Sequence, residues 1–217
     1  LLSIINDILD FSKMEAGKLE FEYGPFEIRP LVEGVVDILA PRVKGREVEL
    51  TYSVLNDARG VYYGDAGRLR QVLLNLAGNA IKFTETGSVH IGVRVSQDFD
   101  DMMRLRIEVV DTGIGIAEAA KANLFTMFTQ ADSSTARRFG GTGLGLAISK
   151  RIIDMMNGKI GFDSSEGKGS TFWFEVVLRR SDEQPATHEL DNPLDGAHVL
   201  VVDDNPAARE IFLEMLA

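Results

Sequence analysis

Three stretches of this chain combine residue types and spacings suited to holding a ligand group, two of them an oxyanion and the third an amine. Residues 137–156 read Arg-Arg-Phe-Gly-Gly-Thr-Gly-Leu-Gly-Leu, then Ala-Ile-Ser-Lys-Arg-Ile-Ile-Asp-Met-Met. Gly140, Gly141, Gly143 and Gly145 carry no Cβ, so the backbone can visit positive φ and let a ligand approach its N–H groups closely. Leu144, Ile148, Ile152, Met155 and Met156 then recur at helical spacing. The glycines therefore deliver their donors at a helix N-terminus, where the macrodipole favours negative charge by roughly 0.3–1 kcal/mol. A bound phosphate is the natural ligand; the plainer reading is a flexible connector. The Lys-[Ser/Thr] ending of a P-loop is absent and no strand directly precedes the stretch, so a different nucleotide fold is indicated.

The second stretch is a helical pattern over residues 65–83. Leu69, Val72, Leu73, Leu76 and Ala80 make its core stripe, while Gln71, Asn75, Asn79 and Lys82 share a neighbouring face. An Asn oxygen is a hard neutral ligand suited to Mg²⁺, which keeps waters and phosphate oxygens as its other ligands, and Lys82 can meet a phosphate directly. The plainer reading is a solvated helix face. Gly78 inside this helix costs about 1 kcal/mol against Ala and has no evident reason in the sequence. In the third stretch, Asp111 ends a strand pattern and is followed by Thr112, Gly113, Ile114 and Gly115. A carboxylate only accepts hydrogen bonds, so it can select the exocyclic amine of adenine over the keto oxygen of guanine. Alone, Asp at a turn is unremarkable.

The elements that position these residues follow from periodicity. Residues 1–20 place Leu1, Leu2, Ile4, Ile5, Ile8, Leu9 and Phe11 at helical intervals with Asn6, Asp7, Asp10 and Lys13 between them, an amphipathic helix belonging to a hairpin or bundle, or packed on its own domain. Gly24 and Pro25 read as a turn. A helix over 31–43, strands over 48–54 and 61–63, and the helix over 65–83 follow. Alternation then predicts an antiparallel pair, 89–95 and 105–109, joined by an acidic loop over 97–101. Short helices and loops fill 113–128, and strands over 159–163 and 171–178 close the domain. This order predicts an α/β fold, a two-layer sandwich of a mixed sheet with helices on one face. Residues 179–194 read as a linker, and the run from His198 to Asp204 reads as a buried strand opening a further domain.

The totals narrow the function. A hydrophobic share of 45% is ordinary for a globular core. A net charge of -10 argues against a nucleic-acid partner, because an extended polyanion needs many cations to neutralise it. There is no Cys, which excludes disulfides and thiolate metal sites and fits a cytoplasmic setting. No apolar run approaches the roughly 18 residues of a membrane span. The chain begins inside a helical pattern at Leu1, so it is expected to be a fragment, and a membrane anchor could lie in the part that precedes it.

In this order and spacing, Asn75, Asn79, Lys82, Asp111-Thr-Gly-Ile-Gly, Phe125-Thr-Met-Phe128 and Gly141-Thr-Gly-Leu-Gly resemble the N, G1, F and G2 boxes of sensor histidine kinases. The stretch Ile-Ile-Asn-Asp-Ile-Leu-Asp-Phe-Ser-Lys-Met-Glu-Ala-Gly is similar to the end of that family's dimerisation and histidine-phosphotransfer hairpin. Val199-Leu-Val-Val-Asp-Asp-Asn-Pro resembles the opening of a receiver domain. The resemblance implies a hybrid kinase with the sandwich of histidine kinases and related GHKL ATPases: hairpin end over 1–22, ATP-binding domain over 26–179, linker over 180–196 and truncated receiver over 197–217. It implies ATP and Mg²⁺ as ligands, with Asn79 on the metal and Asn75 beside it, Lys82 on phosphate and Asp111 on the adenine amine. Gly113 and Gly115 would line the base, and Gly141, Thr142, Gly143, Leu144 and Gly145 the phosphates. Phe125 and Phe128 would seat a lid from which Arg137 or Arg138 reaches the γ-phosphate. The partners implied are the protein's own hairpin and receiver, in a homodimer, without nucleic acid. The acceptor histidine would precede Leu1; His188 and His198 lie outside the domain, and His90 is expected to face solvent from a strand. Asp203 and Asp204 match only the acidic pair of a receiver, so this fragment is expected to bind MgATP without phosphorylating itself. The same wider fold also serves ATP-gated conformational ATPases, and a degenerate regulatory module is a third reading.

Overall fold

The computed structural model describes residues 12–14, 18–99, 101–126, 143–181, 198–202, 209 and 213. Its strands are β1 (Gly24–Glu27), β2 (Val48–Val54), β3 (Val61–Gly64), β4 (Gly87–Phe99), β5 (Met102–Asp111), β6 (Lys159–Ser165) and β7 (Gly169–Arg180). The helices are α1 (Ile28–Val43), α2 (Ala66–Phe83), the single turn α3 (Glu118–Lys121) and α4 (Gly145–Met155), with a 3-10 turn at Asn56–Ala58. One mixed sheet runs β1-β3-β7-β5-β4-β2, and β6 pairs with β7 alongside β3. Only the β2–β4 pair is parallel among these; every other pairing is antiparallel.

Period-two alternation along β4, β5 and β7 sends Val89, Ile91, Val93, Leu105, Ile107, Val109, Phe174 and Val176 to one face, where all are buried. Against them α2 packs Leu69, Val72, Leu73, Leu76 and Ala80, α1 packs Leu31, Val35 and Leu39, and α4 packs Ile148 and Ile152. Each large apolar side chain so buried contributes about 1.5–3 kcal/mol. The expected two-layer sandwich with helices on one face of a mixed sheet is therefore present. The other face carries polar partners: Arg106 stacks on Trp173 at 4.2 Å, bonds to Glu108, and pairs with Glu175 at 3.2 Å.

The sequence expectations shift in four places. Gly24 and Pro25 form β1 rather than a turn, pairing Pro25 with Tyr63 at a sheet edge, where a missing N–H is tolerated. Helix α1 begins at Ile28, three residues early, because Pro30 then falls in the first turn and needs no donor. The acidic loop is shorter than expected. β4 bulges at Ser96, between the Val95↔Leu105 and Gln97↔Arg104 pairs, and the ladder continues to Phe99↔Met102. Finally, residues 198–202 adopt no strand, and Leu200 and Val202 are exposed; a strand needs a neighbour for its ladder, and no described strand pairs with this run.

Near the N-terminus, Met14 and Leu19 are buried in the same core, so the described end of the first stretch packs on this domain. Asp65 ties it to α2. One carboxylate oxygen caps the helix by accepting from the Arg68 N–H at 2.9 Å, and the other accepts from the Glu22 N–H at 2.9 Å.

Candidate functional site

The outward side of α2 forms the floor of a cleft of about 610 Å³, between the end of α1 and the start of α4. Gln71, Asn75, Asn79 and Lys82 line it, as their spacing on one helix face requires. Gly145 and Ser149 line it from α4. Gly143 has φ 68°, in the left-handed region that glycine occupies without strain, and the chain turns there into α4. Among the described residues no side chain caps that helix start.

Asn75 joins the two helices. Its Nδ2 donates to Ser149 Oγ at 2.9 Å, and its Oδ1 accepts from Asn79 Nδ2 at 3.4 Å. An added Cβ at Gly145 would lie 2.2 Å from Asn75 Oδ1, so this approach depends on glycine. With its amide nitrogen turned toward Asn75, Asn79 keeps its Oδ1 as a hard oxygen donor. Among the described residues no three His, Asp or Glu side chains converge to hold a metal by themselves. The donor set thus fits a cation that shares its coordination with ligand oxygens. Lys82 has its pKa lowered by burial, the condition of a cation whose water has been partly replaced by protein and which gains from an anionic neighbour.

The cleft also holds residues that periodicity did not single out. Arg42, Arg46 and Arg70 line it with Lys82, and no carboxylate among the described residues does, in a chain of net charge -10. Arg46 donates from Nη1 to the Ile81 carbonyl at 3.1 Å and from Nη2 to the Thr84 carbonyl at 2.6 Å, capping the negative end of α2 beside Lys82. Arg70 was legible as a cation near the Gln71 face. Arg42 and Arg46 come from α1 and the turn after it, and only tertiary packing brings them here.

Asp111 does not line this cleft. It ends β5 between β4 and β7, only 6% exposed, and its Oδ1 accepts from the Gly113 N–H at 2.9 Å. Burial raises its pKa, opposed by hydrogen bonds from the Gly113 and Ser170 backbone. The loop that follows is pinned to the end of α2: the Ile114 N–H donates to the Phe83 carbonyl at 3.3 Å, and a Cβ on Gly113 would fall 2.4 Å from that oxygen. A Cβ on Gly115 would likewise fall 2.0 Å from the Ser165 carbonyl oxygen at the β6–β7 turn, so both glycines serve packing of the loop itself. The Asp111 loop and the α2 polar face therefore meet at Phe83, one residue beyond Lys82.

Leu144 is buried in the core, so whatever it offers a ligand comes from its backbone. Phe125 lies 5.9 Å from Phe162, centroid to centroid. Phe128, Arg137, Arg138, Gly141, Thr142, Asp203 and Asp204 lie outside the described residues, as does His188. His90 departs from its expected exposure. It is half-buried on the outer sheet face, where Thr51 Oγ1 lies 2.9 Å from Nδ1 and Ser53 Oγ 3.1 Å from Nε2. The parallel β2–β4 register, which sets Thr51 opposite His90, produces this clasp. Burial pushes its pKa down to about 4, against a smaller opposing pull from Glu108.

Among the described residues, no helix is long and apolar enough to cross a membrane. Residues 64–180 match the family described as histidine kinase-, DNA gyrase B-, and HSP90-like ATPases. The chain is 45% identical over 210 residues to the sensor protein GacS of Pseudomonas syringae pv. syringae, covering 97% of this chain and 23% of that protein. It is 42% identical over 221 residues to the signal transduction histidine-protein kinase BarA of Escherichia coli strain K12, covering all of this chain and 24% of BarA. The chain thus spans about a quarter of the length of these relatives. Among solved structures, full-length ShkA in complex with AMPPNP superposes with a TM-score of 0.72 at 37% identity, over 83% of this chain and 36% of ShkA. The chain belongs to the family of histidine kinase-, DNA gyrase B-, and HSP90-like ATPases, and the relatives it matches are sensor kinases.

Proposed function

We propose that this chain is the ATP-binding catalytic part of a hybrid sensor histidine kinase. It positions MgATP for transfer of the γ-phosphoryl group to a histidine on a helical hairpin, from which the group passes to a receiver aspartate. The observation that carries this reading is the Asn79–Asn75–Ser149 hydrogen-bond chain, which fixes two amides across bare Gly145 beside Lys82 in a cleft whose charged lining residues, among those described, are all cations. Phosphoryl transfer asks for positioning and charge neutralisation rather than covalent chemistry from the protein, and these groups offer both.

In this reading Asn79 Oδ1 ligates Mg²⁺, Asn75 holds Asn79, and Lys82 meets a phosphate. The N–H groups from Gly141 to Gly145 face the remaining phosphate oxygens. Asp111 accepts a hydrogen bond from the adenine amine, with Gly113 and Gly115 against the base. Phe125 and Phe128 seat the segment carrying Arg137 and Arg138, which approach the γ-phosphate. Residues 1–22 are the end of the hairpin, 26–179 the nucleotide-binding domain, 180–196 a linker and 197–217 the start of a receiver. The intact protein works as a homodimer.

The test is calorimetric titration of the chain with a slowly hydrolysed ATP analogue, with and without Mg²⁺, beside Asn79→Ala. Binding is expected to be strengthened by Mg²⁺ in the wild type and to lose that dependence in the variant. A folded wild-type chain that binds no nucleotide, or a variant with undiminished Mg²⁺ dependence, would refute the assignment.

A further inference from the structure

Gly78 is the residue of α2 that neither propensity nor core packing explains. The nearest atom to a Cβ built on it is Arg42 Nη1, at 3.5 Å. The Arg42 guanidinium therefore reaches from the last turn of α1 across bare backbone of α2, one residue from Asn79 and one turn from Lys82. It is exposed to the cleft, and it has neither a carboxylate nor a hydrogen-bond acceptor among the described residues. A cation at the end of α1 complements that helix's dipole, but any direction of the side chain would do so; the dipole does not explain its lie over Gly78. Arg46 is committed to the carbonyls of Ile81 and Thr84. Arg70 lies over Gly34, two turns further along α2, about 12 Å away at the helical rise.

We propose that Arg42 is a phosphate-contacting residue of this site, directed at the end of the nucleotide remote from the base and lying in van der Waals reach of Gly78. The inference rests on the nucleotide reading above. The Asp111 loop meets α2 at Phe83, so a base held there puts Gly78, more than a turn away, beside the terminal phosphates. A guanidinium offers five donors in a planar fork suited to phosphate oxygens, and here none is taken by a described residue.

The whole 217-residue chain, with Arg42→Ala, Arg70→Ala and Gly78→Leu, is titrated calorimetrically with Mg²⁺ and either ADP or a slowly hydrolysed ATP analogue. Arg42→Ala should weaken the ATP analogue about tenfold. The same variant should weaken ADP less than about threefold, because ADP lacks the contacted group. Arg70→Ala should weaken both nucleotides by one common factor, through its field alone. Gly78→Leu, which displaces the guanidinium without removing charge, should reproduce the selective loss. Equal losses of ATP analogue and ADP in Arg42→Ala, no loss, or full ATP preference in Gly78→Leu would overturn the proposal while leaving the site itself intact. A wild-type chain that binds neither nucleotide would remove both.

Discussion

Acidification should weaken this fold through His90, by an amount that the structure allows to be worked out. In the unfolded chain the imidazole protonates near its ordinary 6.5, whereas in the fold burial holds it down to about 4. Between these values the unfolded state binds more protons, so stability rises with pH across that window and falls as pH drops from 6.5 toward 4. At pH 5 the unfolded imidazole is almost wholly charged and the folded one almost wholly neutral. The difference amounts to about 2 kcal/mol relative to neutral pH, somewhat less for the ring's residual exposure. With a urea dependence of about 2 kcal/mol per molar for a domain of this size, the midpoint should move down by about 1 M. Other groups titrate as well, so the measurement is a difference: urea midpoints at pH 7.5 and pH 5.0 for the wild type and for His90→Gln. Glutamine keeps hydrogen-bonding atoms near Thr51 and Ser53 but carries no titrating group. The variant should lose the His90 share of the shift. Identical pH dependence in both proteins would show that His90 is solvated in the fold and that the clasp is not a buried one.

Two further outcomes bear on the site. Asp111→Asn should weaken the ATP analogue by roughly 1.5–3 kcal/mol and reduce the preference for ATP over GTP, the cost of losing a hydrogen bond to a charged group; unaltered affinity and preference in calorimetry would dismiss Asp111 as a base-reading residue. Gly145→Ala should drive the Asn75 amide off Ser149, costing about 1 kcal/mol of stability and about tenfold in Mg²⁺-dependent nucleotide affinity. A crystal structure of that variant with the Asn75–Ser149 bond preserved at its present length would contradict the steric argument.

Elements whose signal is local were legible in the sequence. Asp65 followed by the Leu69, Val72, Leu73 and Leu76 stripe specifies a capped amphipathic helix through short-range chemistry, and α2 starts where that chemistry says. The polar face with Asn75, Asn79 and Lys82 follows from the same periodicity, which is why these three meet in one cleft. What escaped was set by long-range pairing. Gly24 and Pro25 have turn chemistry and become a strand only because Tyr63 and its neighbours offer an edge. His90 alternates outward as read, yet the parallel register with β2 covers it. Arg42 and Arg46 belong to no periodic face of α2 and enter the cleft by the packing of α1 across it.

The last strand of the domain is not at an edge of the sheet. β7 sits between β5 on one side and β3 with β6 on the other, pairing Met102 with Arg179 and Asp111 with Ser170. During synthesis, Leu105, Ile107 and Val109 emerge from the ribosome long before the strand that completes their ladder. Until residue 180 is available, β5 presents an open hydrogen-bonding edge with an apolar face, the kind of surface that recruits other chains. Cooperative closure of the core is thereby deferred to the end of the domain, because contacts so distant in sequence form slowly. A stop codon or a proteolytic cut before residue 178 should give an aggregating product, whereas a boundary just past Ser181, whose N–H closes the ladder on the Val61 carbonyl, leaves the sheet whole.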